Sequence, residues 1–293
     1  MTKVFIPFKH NSIFNELEKE VELTDINSCD TVILWNDVNH LERGIIQLAK
    51  SKGKKTVVMQ HGRKGTSKYY PPFNEKIQAD KLLVWGDYDK RSLGGVGQDI
   101  SRVRVVGTTV LHGLPDRRGH DGINIVFCPE HWDTEVEENS KVKKELRKLR
   151  YKHKNINVIT KIIETHDPDR YDNPIQSNRN SVDHLDVCAE VLATADLVVG
   201  VSESTFELMA QTMDIPVVIM EEWTPKAFGG DERYKSYRRV ISDASAKCKA
   251  KDLQETIIYH LENPDTLKEE RKRVAIDEGG LGLNTIELIK KEL

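Results

Sequence analysis

Residue types and spacing in the run Ser202-Glu203-Ser204-Thr205-Phe206-Glu207 suit the binding of a nucleoside diphosphate. The preceding Leu197 to Val201 is apolar without alternation, as in a parallel strand covered on both faces. Ser202, Ser204 and Thr205 then place three hydroxyls at the mouth of the next helix. The first turn of a helix has unpaired N–H groups and a partial positive charge, and both attract phosphate. Glu207 falls inside that first turn. A carboxylate repels phosphate, but it can accept hydrogen bonds from the two hydroxyls of a ribose. The same residues would also serve an ordinary N-capped helix after a core strand, because Ser and Thr are common caps.

Three further residues have types suited to holding a diphosphate. Lys161 interrupts the mostly apolar run Ile156 to Glu164, and an ammonium is costly to bury unpaired. It therefore faces a ligand or pairs with an acid such as Glu164. His166 follows that run, and His131 follows the apolar run Ile123 to Cys128. Both are candidate phosphate contacts. No HExxH, CxxC or DxD-like pair stands out as a site, and nothing near the two acids of Asp167-Pro168-Asp169 argues for a metal, so no metal site is expected. Neither a Walker A nor a GxGxxG pattern occurs, and Gly94-Gly95-Val96-Gly97 reads as a flexible surface turn. Positive charge concentrates in Lys141 to Lys154, after the acids Glu135, Glu137 and Glu138. That stretch reads either as a surface for nucleic acid or another polyanion, or as the solvated face of a helix that buries Leu146 and Leu149.

The elements that must position these residues alternate along 293 residues, a length that suggests two cores. Strands are expected at 4–7, 31–35, 56–60, 81–85 and 103–107, with helices at 11–21 and 39–52. A polar, glycine-rich stretch, 113–122, reads as a linker. A second series follows, with strands at 123–128, 156–164, 197–201, 216–220 and 239–242. Its helices are expected at 136–151, 182–193, 253–261, 264–274 and 283–293. The reading is α/β: an N-terminal Rossmann-like domain, 1–112, and a C-terminal nucleotide-binding one, 123–280. A terminal helix within 281–293 can return to the first domain. Two doubly wound domains of this kind face a cleft, with ligands beyond the carboxyl ends of the strands. Hydrophobic residues make up 38% of the chain and charged ones 31%, which excludes disorder. A net charge of −3 gives no overall pull toward nucleic acid or anionic membrane. Four scattered cysteines, no membrane-spanning run and an N-terminus that reads as a first strand lead to an expected cytoplasmic location.

In order along the chain, several strand ends resemble those of the GT-B glycosyltransferases. Val57-Val58-Met59-Gln60-His61-Gly62 is similar to the strand that ends in a His-Gly pair. Ala79 to Gly86, Val105-Val106-Gly107-Thr108, Ile125 to Trp132 and Ala195 to Ala210 with Ile215-Pro216-Val217-Val218 complete the likeness. Within that superfamily the chain most resembles enzymes that use CDP-glycerol or nucleotide sugars to build surface polymers, and the UDP-N-acetylglucosamine 2-epimerases. It departs from them where Asp167 separates His166 from Pro168, and where Glu130-His131 replaces a Thr after Pro129.

The resemblance implies a metal-independent glycosyltransferase of polysaccharide biosynthesis, with His61 as the base that deprotonates an acceptor hydroxyl. It implies no cofactor, a UDP- or CDP-linked donor, and a polymer, lipid-linked or DNA acceptor. Gly107, Thr108, His131, Lys161, His166, Ser202, Ser204, Thr205 and Glu207 would hold the donor. Gly62, Arg63 and Lys64 would face the acceptor. Two alternatives stay open: an epimerase acting on the nucleotide sugar itself, and a DNA-base glycosyltransferase or nucleic-acid-binding protein that uses the basic helix 141–154.

Overall fold

The structure, a computed structural model, describes residues 1–7, 13–35, 40–60, 76–95, 97–108, 114–129, 137–163, 166–177, 184–201, 204–221 and 243–293. It divides into two compact units, Met1–His112 with Ile276–Leu293, and Gly113–Ala275.

Unit 1 contains a six-stranded, all-parallel sheet. Its strands are β1 (Lys3–Phe5), β2 (Glu22–Leu23), β3 (Thr31–Leu34), β4 (Lys55–Met59), β5 (Lys81–Val84) and β6 (Val103–Val105), in the order β2-β1-β3-β4-β5-β6. The inner strands are apolar runs buried on both faces, as crossover helices above and below a parallel sheet require. The described helices are α1 (Ile13–Glu18), α2 (His40–Ser51) and α3 (Asp87–Gly95), and α2 lays Ile46 and Ala49 on Val32, Leu34 and Val58.

The described glycines of the run form the C-terminal end of a helix. Gly94 and Gly95 close α3, the Gly97 N–H donates to the Gly94 carbonyl, and the Gln98 N–H donates to the Leu93 carbonyl. This Schellman-type end needs a left-handed residue, and Gly97 supplies it at φ +82°.

Unit 2 contains a second parallel sheet, β7 (Ile123–Cys128), β8 (Ile156–Ile163), β9 (Pro174–Ser177), β10 (Leu197–Gly200), β11 (Val217–Met220) and β12 (Ser245–Cys248). Its order is β12-β11-β10-β7-β8-β9. The helices are α4 (Glu137–Lys152), α5 (His184–Ala193), α6 (Thr205–Thr212), α7 (Leu253–Glu262) and α8 (Lys268–Asp277), the last crossing the boundary between the units. From α4, Val142, Leu146 and Leu149 bury themselves at helical spacing against Ile125, Phe127, Ile156, Val158 and Ile162, while Leu253 and Ile257 of α7 join the same face. The opposite face carries α5 and α6.

The sequence reading misses three short strands. β2 has two residues, and β9 and β12 are edge strands of four with mixed polarity (Pro-Ile-Gln-Ser and Ser-Ala-Lys-Cys), so none carries an apolar run. The strand expected at 239–242 lies outside the described residues. No described helix is long and apolar enough to cross a membrane.

After α8 the chain runs over unit 1 and ends in α9 (Thr285–Lys291), whose Ile289 joins Val4, Leu17, Ile33, Val57 and Leu83 in one core. Gly86 allows this return. A Cβ there would stand 2.0 Å from the Asp277 carbonyl oxygen and 2.7 Å from its carbon. Both are backbone atoms and neither can swing aside. Gly86→Ala is expected to destabilise the protein by about 2–3 kcal/mol, the cost of overpacking a rigid contact, as a lower urea midpoint. An unchanged midpoint would show that the 276–293 segment yields freely.

Candidate functional site

In unit 2 the strand order reverses between β7 and β10, the place where open α/β sheets leave a crevice beyond their carboxyl ends. Register places specific residues at that crevice. Gly200, the last residue of β10, pairs with Cys128, the last of β7, and Phe127 pairs with Thr160. Lys161, one residue further along β8, is therefore level with both strand ends. Ile156, Val158 and Ile162 point into the α4 and α7 core, so alternation directs Lys161 to the α5 and α6 face.

Lys161 is 5% exposed. Its Nζ lies 6.0 Å from the Phe206 ring centroid, and its charge acts on the Cys188 thiol. Among the described residues no carboxylate lies within ion-pair distance of it, and the expected pairing with Glu164 falls on a residue outside the described set. Cys188 does not replace the acid. Burial pushes its thiol above the ordinary value, outweighing the opposing pull of Lys161, so the sulfur remains neutral at physiological pH.

The turn after β10 leads into α6 through Ser204, which is its N-cap. The Ser204 Oγ accepts from the Phe206 N–H at 3.2 Å and donates to Glu207 Oε2 at 2.5 Å. The Ser204 N–H donates to the same Glu207 oxygen at 2.7 Å, completing a capping box. Glu207 is buried, and its charge acts on the Cys188 thiol together with that of Lys161. Cys188 thus lies where the fields of the cation from β8 and the carboxylate from α6 meet. His166, just beyond β8, is also buried. Its Nδ1 accepts from the Ile163 N–H at 3.2 Å, so any ring proton sits on Nε2 in the neutral form, and its ring meets Tyr171 edge-on.

No protein-family model matches the sequence, and no curated protein matches it significantly. Solved structures do match over nearly the whole chain. A putative UDP-N-acetylglucosamine 2-epimerase from Listeria monocytogenes superposes with a TM-score of 0.65 at 13% identity, over 99% of this chain and 95% of that one. The wall teichoic acid polymerase TagF gives 0.65 at 14% identity, over 99% and 89%. HepE from Anabaena, solved in complex with UDP-glucose, gives 0.57 at 9% identity over the full length of both chains. The chain has a GT-B-type fold. At these identities the likeness is one of fold.

Within this GT-B-type chain, the sequence-selected residues fall into three sets. Lys161, His166, Ser204, Thr205 and Glu207 stand around the carboxyl ends of β8 and β10 in unit 2, and Thr205 opens α6. His61, Gly62, Arg63, Lys64, His131 and Ser202 lie outside the described residues. Gly107 and Thr108 belong to unit 1, where the return segment occupies them. Gly107 has φ +88°, an added Cβ would stand 2.6 Å from Thr285 Oγ1, and the Thr108 N–H donates to the Gly279 carbonyl at 2.8 Å. Their surroundings are those of a packing contact between β6 and the C-terminal segment.

Three members of the local architecture have no signal in the sequence alone. Cys188 and Phe206 read as ordinary core residues of their helices. Gln60 directly follows β4 and is buried: its Nε2 donates to Asp89 at 2.9 Å, its Oε1 accepts from the Trp85 N–H at 3.2 Å, and its carbonyl accepts from Trp85 Nε1 at 3.0 Å. These bonds fix the backbone immediately before His61.

Proposed function

We propose that this protein is a transferase that takes a sugar or polyol phosphate from a nucleoside-diphosphate donor. The observation that carries the reading is Lys161. It is a buried ammonium at the carboxyl edge of the sheet, level with the ends of β7 and β10, with no carboxylate within ion-pair distance among the described residues. A diphosphate would supply that charge. His166 and the first turn of α6 contribute a ring N–H and backbone donors, and Glu207, held in place by its cap, takes the ribose hydroxyls. These groups stabilise the charge that develops on the leaving diphosphate. His61 is the proposed base toward the acceptor hydroxyl, because an imidazole titrates near neutral pH. The acceptor is assigned as a polymer- or lipid-borne hydroxyl. The TagF and UDP-glucose-bound HepE folds support the donor class.

Thermal shift of the purified chain against UDP, CDP, GDP, ADP and TDP tests the donor site, since a ligand that binds only the folded state raises the midpoint. One of them is expected to raise the Tm with or without Mg²⁺, and its effect is expected to fall sharply in Glu207→Ala. The loss of a charge-assisted bond pair costs about 2–3 kcal/mol of binding, a 30- to 150-fold rise in Kd. Loss of the cap alone costs about 1 kcal/mol of stability. A variant that binds as tightly as the parent would reduce Glu207 to a capping residue. No shift with any diphosphate would remove the donor site. Product analysis with the matching donor then separates transfer from epimerisation.

A further inference from the structure

The basic stretch of α4 resolves into paired and unpaired charges. Lys141 pairs with Glu137, Lys148 with Glu145 and Arg147 with Asp172. Lys152 donates to the neutral amide of Gln254. Arg150 and Lys154 have no carboxylate partner among the described residues. Lys143 meets the Arg170 carbonyl and the Tyr171 ring, and Arg150 and Lys154 stand together at the C-terminal end of the stretch.

That end lines an open groove of about 440 Å³, walled by Arg147, Arg150, Tyr151, Lys154, Ile156 and Asn157. Tyr151 is 78% exposed, and Lys154 lies over its ring, 4.6 Å from Nζ to centroid. A tyrosine so exposed gains nothing from burial. The cations beside it also do more than counter the negative end of the α4 dipole, because Lys154 lies beyond the helix. An exposed ring set among guanidinium and ammonium groups in a groove can stack a base while the cations take the neighbouring phosphates. A polyol phosphate chain has no use for the ring, and an anionic membrane would meet a flat surface better than a groove.

We infer that this groove binds single-stranded nucleic acid, at a site separate from the strand-end site of unit 2. It requires no property of the donor site.

The test is fluorescence anisotropy of the full chain with labelled 20-nucleotide oligo(dT) and oligo(rU) between 50 and 200 mM NaCl. About three neutralised phosphates give a log–log salt slope near −2, roughly a 20-fold loss of affinity over that range. Arg150→Ala with Lys154→Ala is expected to flatten the slope to roughly −0.7. Tyr151→Ala, at an exposed position, is expected to weaken binding roughly 5- to 100-fold with the fold unchanged. Circular dichroism and the urea midpoint verify that these variants fold. No binding at 50 mM salt, or binding that none of these substitutions alters, overturns the inference. So does binding indifferent to Tyr151→Ala and displaced equally well by inorganic polyphosphate, which would make the groove a general anion surface. Binding to phosphatidylserine vesicles in place of the oligonucleotides overturns it in favour of a membrane.

Discussion

Lys161→Met is expected to make the unliganded protein more stable and its donor site much weaker. Lys161 is 5% exposed, with a neutral thiol and an aromatic ring beside it. An unpaired buried charge opposes folding, and a thioether of similar length fills the same space without that cost. A gain of about 1–3 kcal/mol is expected, read as a higher urea midpoint and a Tm raised by roughly 3–10 °C. The affinity for the nucleoside diphosphate that shifts the parent should fall about 10- to 100-fold, the worth of one charge-assisted bond. The opposite signs make this substitution diagnostic. A lower midpoint with unchanged affinity would make Lys161 a structural residue. A higher midpoint with unchanged affinity would move the diphosphate away from β8.

His61→Ala is expected to lower kcat by about 100- to 10,000-fold, the range general base catalysis contributes, while donor affinity stays within about twofold. The backbone leading to His61 is anchored at Gln60 by Asp89 and Trp85. Truncating the imidazole should therefore leave β4 in place. Single-turnover assays with the matching donor separate the two effects. Retained turnover would place the base elsewhere, and a parallel loss of donor affinity would make His61 a binding residue.

Several elements are legible directly. Thr31–Leu34, Leu197–Gly200 and Val217–Met220 announce parallel strands because a sheet covered on both faces must be apolar at every position. The N-terminus of α6 is legible because a cap needs a small oxygen-bearing side chain, and the Glu three residues on completes the box. The edge strands β9 and β12 are not legible. They need only a row of backbone partners on one side, a requirement that leaves little trace in side-chain type. The resemblance implies that Gly107 is a donor residue. Its surroundings come from the return segment, whose Gly280, Leu283 and Thr285 approach it closely, and that approach is a long-range event no local pattern encodes.

Lys161 marks the division most sharply. By itself the sequence determined that a cation stands in an apolar strand and must be reconciled with burial, because the dehydration of an ammonium depends on little but its being inside. It left two answers, a ligand or an acid. Only the tertiary structure decided between an acid and none among the described residues. Register brought Lys161 level with the ends of β7 and β10, alternation turned it toward α5 and α6, and those helices met it with Cys188 and Phe206. Which side chains face one another across a sheet depends on how distant segments pack, and the chain's linear order does not carry that information.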